Sequence, residues 1–182
     1  MDALPDNHYC RIAQGHEYHG PYHDFEYGFS VDSDDVLFER LMLEINQAGL
    51  SWLTILKKRN GLRTAYHGFS IKRVAEYGGE DRERLMQDTQ GIRNALKIDA
   101  AISNARTLLD IRVTHTSFLG WLDHYHPLTK TDWVKLFKET FRFTGGEITG
   151  SFLMSIGYLP GAHHLACPVY EKIAALGPRW ME

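Results

Sequence analysis

Cysteine is scarce in this chain of 182 residues, with only Cys10 and Cys167, near opposite ends. That excludes a disulfide-framed miniature domain and leaves one bridge, two free thiols or half of a metal site. No apolar run approaches the ~18 residues that a membrane span requires. The opening MDALPDNHYC carries acids and Pro5 where a secretory signal would need bases and an apolar stretch. Internal repeats, low-complexity tracts and Pro/Gly/Ser-rich linkers are also missing, and at ~150 residues per domain the length suits one, residues 1–182. Strand-like alternation is essentially absent. A cytoplasmic protein without a membrane partner is expected. In that reducing compartment, thiolate ligation of a metal is a better use of the two cysteines than a disulfide.

An excess of positive charge is lacking too, since 20 Lys and Arg stand against 23 Asp and Glu for a net −3. The average hides an asymmetry. Residues 1–47 hold ten acids and two bases (Arg11, Arg40), so the remainder carries a net +5 and could offer one face to a polyanion. Hydrophobic residues at 43% are enough for a folded core.

What is there in abundance is helical period. Asp32 and Ser33 precede a helix over 34–47 with Leu37, Leu41, Glu44 and Ala48 on one stripe. Further helices are expected from Ser51 to Lys58, from Ser70 to Tyr77, and over 80–87. The clearest covers 93–109, burying Ala95, Ile98, Ile102, Ala105 and Leu109. Others span 131–140 and 146–156, and a last one opens at Pro168. Residues 1–30, interrupted by Gly15, Gly20, Pro21 and Gly28, read as irregular and in need of an anchor. The fold class expected is all-α.

Cys10 and His23 near one end, and His163 and Cys167 in AHHLAC near the other, are the donor types of a tetrahedral zinc site. His163 and Cys167 lie one helical turn apart and can face one ion, with His164 a second choice. The other reading is two buried free cysteines with surface histidines. Glu44 sits on the core side of its helix. A carboxylate there is costly unless it is paired or lines a pocket, and the sequence leaves both open. The run KKRNGLR with Lys72 and Arg73 puts six bases and no acid between residues 57 and 73, after QAGLSW, where Gly49 exposes Leu50 and Trp52. A solvated helix face or phosphate contacts would each explain it. DTQGIRNALKI reads as a turn between helices with Arg93 and Lys97 near a phosphate-facing helix N-terminus. Tyr9, Tyr18, Tyr22, Phe25, Tyr27 and Phe29 crowd the N-terminal segment. Another arrangement, His16, His19, His23 and Asp24 around a hydrolytic metal, would be octahedral and carboxylate-rich.

Together the strings YHDFEYG (22–28), LFERLMLEINQAGLSWLTILKKR (37–59), GIRNALKIDAAISNAR (91–106), FRFTG (141–145) and GYLPGAHHLAC (157–167) resemble the 3-methyladenine DNA glycosylase I family, in family order over nearly the whole chain. The resemblance implies a helix-hairpin-helix glycosylase fold and a structural Zn²⁺ joining the termini through Cys10, His23, His163 and Cys167. It further implies base recognition by Glu44 in the catalytic site, pocket aromatics at Tyr22 and Trp52, and Gln47 and Leu50 entering the duplex. Tyr27 and Ile12 depart from it, standing where the family often has Trp. The implied substrate is double-stranded DNA with alkylated bases, bound by a monomer; from the basic run and the hairpin, Lys57, Lys58, Arg93 and Lys97 are expected to meet its phosphates. A zinc-stapled DNA-binding module without activity, or one acting on another damaged base, is the alternative.

Overall fold

The computed structural model describes residues 3–182, and among these every regular element is helical. The helices are α1 (Tyr9–Ala13), α2 (His19–Phe25), α3 (Asp34–Gln47), α4 (Trp52–Ala65), α5 (Ile71–Ala75), α6 (Gly79–Gln87), α7 (Ala95–His115), α8 (Phe118–Tyr125), α9 (Lys130–Thr140), α10 (Gly146–Ser155) and α11 (Pro168–Ala175). Two single 3₁₀ turns follow α4 and α11. Ser33, Ser51, Asn94, Ser117 and Thr129 cap α3, α4, α7, α8 and α9 with their side-chain oxygens.

Helix α3 is the axis of the molecule. Ten of its fourteen residues are buried, so it is covered on several faces rather than along one stripe. Phe38, Met42 and Ile45 are as enclosed as the expected Leu37 and Leu41. It packs against α4, α7, α8 and α10. Trp121, Trp133, Phe118, Phe137 and Phe152 fill the space beside it in one continuous core.

Residues 1–30 are not irregular throughout, for they hold α1 and α2, of five and seven residues. Such short helices carry too few turns for a period to register, and Gly20 and Pro21 lie inside α2. This N-terminal arm contributes to a separate small cluster in which Cys10 meets Cys167, Val169 and Ile173, with Leu4, Phe29 and Tyr170 at its margin. Three other boundaries differ from expectation. α4 runs on to Ala65 because Gly61 does not break it. A Cβ there would come within 2.8 Å of Gln90, so Gly61 lets the α6–α7 hairpin lie against α4. α7 continues to His115. α8 is not among the expected helices, and besides its Ser117 cap its start is fixed from far away, where the Asp34 carboxylate accepts the N–H groups of Phe118 and Leu119 at 3.0 and 3.2 Å and that of Arg112 Nε at 2.9 Å.

Candidate active site and metal centre

The charged groups around α3 divide unequally. Glu26 accepts two bonds from Arg59 at 2.7 Å and pairs with Arg40 Nη2 at 2.7 Å. Glu39 accepts Arg59 Nε at 2.7 Å and Arg63 at 2.7 and 3.0 Å. Three arginines and two carboxylates thus form one network beside α3, and Arg59 and Arg63 are withdrawn from the basic run of residues 57–73. Glu44, one turn beyond Arg40, is left out. It is buried, and among the described residues no hydrogen bond or ion pair reaches its carboxylate. Desolvation pushes its pKa up to about 8, against the pull of Arg40.

That carboxyl opens into a cleft of about 410 Å³ walled by Tyr9, Ile12, His19, Tyr22, Tyr27 and Trp52, with Gln47, Ser51, Leu53 and Ser151 completing it. The aromatic rings meet edge to face or tilted. Tyr22 lies 5.1 Å from Trp52 and 5.6 Å from Tyr27, and Tyr9 lies 5.6 Å from Tyr27. Arg40 stands 4.9 Å from the centroid of Tyr22. The Tyr22 hydroxyl, on a residue of the cleft wall, is buried without a partner, as are two nitrogens of Arg40. A flat cation would find a carboxylate at one edge and π-faces around it.

His19 and Tyr9 belong to this wall and had no sequence assignment to it. They touch each other, Tyr9 Oη to His19 Nδ1 at 3.3 Å. The signal was present as spacing: Tyr9 and Ile12 on α1, and His19 and Tyr22 on α2, are three residues apart and so share a face. Ile12, half-exposed at the rim, and Tyr27, half-buried, both line the cleft.

Behind this wall lies the cluster of Cys10, His23, His163 and Cys167, all buried, with one ligand atom each inside a 4.8 Å span. His163 Nδ1 is 3.7 Å from either sulfur and 3.1 Å from His23 Nε2, which is 3.7 Å from Cys167 Sγ. Metal bonds of about 2.0–2.3 Å at tetrahedral angles give edges of roughly 3.3–3.8 Å; the three nitrogen–sulfur distances fall in that range and the nitrogen–nitrogen edge is slightly shorter. The outer ring nitrogens are already engaged: His23 Nδ1 donates to Asp24 at 2.7 Å and His163 Nε2 to the Tyr27 carbonyl at 2.7 Å. The inner nitrogens are thereby left as lone pairs facing the sulfurs. Burial pushes the Cys10 thiol up to about 11 and His163 down to about 4, so without a cation these two groups stay neutral. His164 turns away to bond the Ala166 N–H, and His16 bonds the N–H groups of Tyr18 and His19. His19 lies in the cleft, so the octahedral arrangement on His16, His19, His23 and Asp24 does not form.

Residues 12–170 match the methyladenine glycosylase family. The chain belongs to this family. Among curated relatives, DNA-3-methyladenine glycosylase 1 of Escherichia coli (strain K12) is 35% identical over 168 residues, covering 82% of this chain and 89% of the relative. The Haemophilus influenzae DNA-3-methyladenine glycosylase is 33% identical, covering 81% and 89%. Among solved structures, 3-methyladenine DNA glycosylase I of Staphylococcus aureus, described for its recognition of 3-methyladenine, superposes with a TM-score of 0.80 at 29% identity, covering 88% of this chain and 95% of that one.

In this chain the expected DNA-facing residues separate. Gln47 and Leu50 sit at the turn after α3, beside the cleft. Gly49 makes the turn at φ +79°, and Leu50 is exposed. Lys57 and Arg93 are exposed. Lys58 leans back, its ammonium donating to the Thr89 carbonyl at 2.9 Å. Lys97 is a correction. It is buried and donates to the carbonyls of Asn46 and Ala48 at 2.8 and 2.6 Å, because the end of α3 presents carbonyls that need donors.

Glu44 also bears on stability. Its folded pKa lies above the ordinary glutamate value, so the stability linked to its protonated form is complete below about pH 4.5 and lost as pH rises to about 8. Glu44→Gln should be as stable as the parent near pH 4 and more stable by about 2–4 kcal/mol at pH 8. Urea unfolding at the two pH values is the check, and a variant less stable at pH 8 would mean that Glu44 has a counterion.

Proposed function

We propose that this chain is a base-excision repair enzyme that hydrolyses the N-glycosidic bond of 3-methyladenine in alkylated double-stranded DNA, acting as a one-domain monomer. The observation that carries the reading is Glu44, a buried carboxyl without a protein partner in an aromatic cleft, in a chain of the methyladenine glycosylase family. Methylation at N3 makes adenine a cation, so breaking its bond to the sugar releases a neutral base and needs little help from a general acid. Selection then does most of the work. Glu44 accepts hydrogen bonds from the exocyclic amine and balances the positive ring, while Tyr22, Tyr27 and Trp52 present π-faces to it. A neutral adenine can offer the same amine but gains neither the charge balance nor the cation–π attraction, and undamaged bases are rejected on charge. Among the described residues Glu44 is the one carboxylate lining the cleft, so no second acid competes for the lesion. Gln47 and Leu50 fill the space that the extruded nucleotide leaves, and Lys57, Lys58 and Arg93 lie on the phosphate side.

The metal we assign to Cys10, His23, His163 and Cys167 is zinc, held structurally, since two thiolates and two imidazoles suit its softness and fill its four positions. It supplies no chemistry to the reaction. Its effect is to fasten α1 and α2, and with them Tyr9, Ile12, His19, Tyr22 and Tyr27, to the C-terminal segment.

Two outcomes are expected. In a base-release assay on methylated DNA, kcat/KM should climb with pH as Glu44 ionises and level off above about 8. Glu44→Gln should lose at least tenfold and show no such rise; an unaltered pH profile in that variant would remove Glu44 from recognition. Protein purified without added metal should contain one zinc per chain, and chelation should lower the melting temperature and widen the N-terminal arm's hydrogen exchange. Zinc retained in full by Cys10→Ala plus Cys167→Ala would place the ion elsewhere.

A further inference from the structure

Lys97 has no carboxylate partner, yet its ammonium is enclosed. Both of its bonds go to one place, the carbonyls of Asn46 and Ala48 at the end of α3. A helix C-terminus carries unpaired carbonyls and the negative end of the dipole, so a lysine there satisfies both. Ala48 makes no backbone cap bond at this end of α3, so Lys97 is the side chain that caps the Asn46 and Ala48 carbonyls. The turn that follows is held from its other side by Leu50 N–H to the Gln47 carbonyl at 2.7 Å and Gln47 Nε2 to the Leu50 carbonyl at 3.2 Å. What this clamped turn presents is Leu50, a large apolar side chain left exposed, between Gln47 and Ser51 on the rim of the cleft.

Lys97 also stands in the first turn of α7, directly after the hairpin that exposes Arg93. Lys58 joins the same hairpin to α4 through Thr89. Two lysines therefore tie the two loops on this side of the molecule into one rigid piece. Burial draws the Lys97 pKa below lysine's ordinary value, which marks the cost of keeping it inside.

We propose that Lys97 is a positioning residue for nucleotide extrusion: by gripping the end of α3 it fixes the Gln47–Leu50 turn in register with the hairpin, so that Leu50 enters the duplex as the hairpin meets the backbone. The inference rests on the reading that this turn enters duplex DNA. A wedge matters only where a base must be unpaired and unstacked, so the requirement for Lys97 is specific to the double strand.

The test compares excision of 3-methyladenine from methylated duplex and from the same DNA as a single strand, with Leu50→Ala as the control for the wedge itself. Lys97→Met should lose at least tenfold on the duplex, while single-strand excision and binding of free 3-methyladenine stay within about twofold of the parent. Combined with Leu50→Ala it should cost little more than the worse single change, since the two act through one turn. Equal losses on both substrates, or none on the duplex, would overturn the role of Lys97. If Leu50→Ala leaves duplex excision intact, the wedge reading itself falls and the inference with it; if only Leu50→Ala harms it, the inference alone falls. Should Lys97→Met fail to fold, Lys97→Gln, which keeps a donor for one carbonyl, goes through the same pair of assays with the same reading.

Discussion

The structure turns on a carboxyl group that is kept without a partner. α3 carries Glu39, Arg40 and Glu44 into the middle of a helical protein, where any unpaired charge is expensive. The two carboxylates that could be neutralised, Glu26 and Glu39, take up Arg40, Arg59 and Arg63 between them. Glu44 receives only the distant pull of Arg40. Its ionisation is therefore held back, and under the proposed function the discrimination between a charged lesion and neutral bases is built into the free protein. The large apolar surface buried along α3, from Leu37 to Ile45, is what lets the fold carry that cost.

The second constraint concerns where the aromatic wall comes from. Tyr9, Ile12, His19, Tyr22 and Tyr27 all belong to an arm whose cysteine joins a small separate cluster instead of the main core. Two helices of five and seven residues cannot hold themselves in water. The Cys10, His23, His163 and Cys167 cluster sits directly behind them, and His163 donates to the carbonyl of Tyr27. A metal held there, as proposed, would set the position of the cleft-lining Tyr27 through a single hydrogen bond, and folding of the arm and assembly of the cleft would become the same event.

Much of this was legible in the sequence for physical reasons. α3 and α7 announce themselves through period and caps, and Glu44 stands out as the acid in an apolar stripe. The metal quartet follows from donor type and from an arm that needs an anchor. What escaped depends on distant partners. α8 starts where Asp34 accepts its first N–H groups, from a position far back in the chain. The extension of α4 beyond Lys58 through Gly61 depends on Gln90 lying against that glycine. Lys97 reads as a surface charge because nothing local shows that the end of α3 awaits a donor, and Arg59 and Arg63 read as a basic face because Glu26 and Glu39 lie in earlier segments. His19 had a local signal, its spacing to Tyr22, outweighed by the pattern of histidines around it.

The central claim, that Glu44 is an uncompensated carboxyl reserved for a cationic base, is open to direct measurement. Carbon-13 NMR titration of the Glu44 side-chain carboxyl in the full chain should give a midpoint near 8 in the free protein, moving down when a permanently cationic purine, 3,9-dimethyladeninium, occupies the cleft. A midpoint in the ordinary glutamate range, or one that the base does not move, would contradict the account.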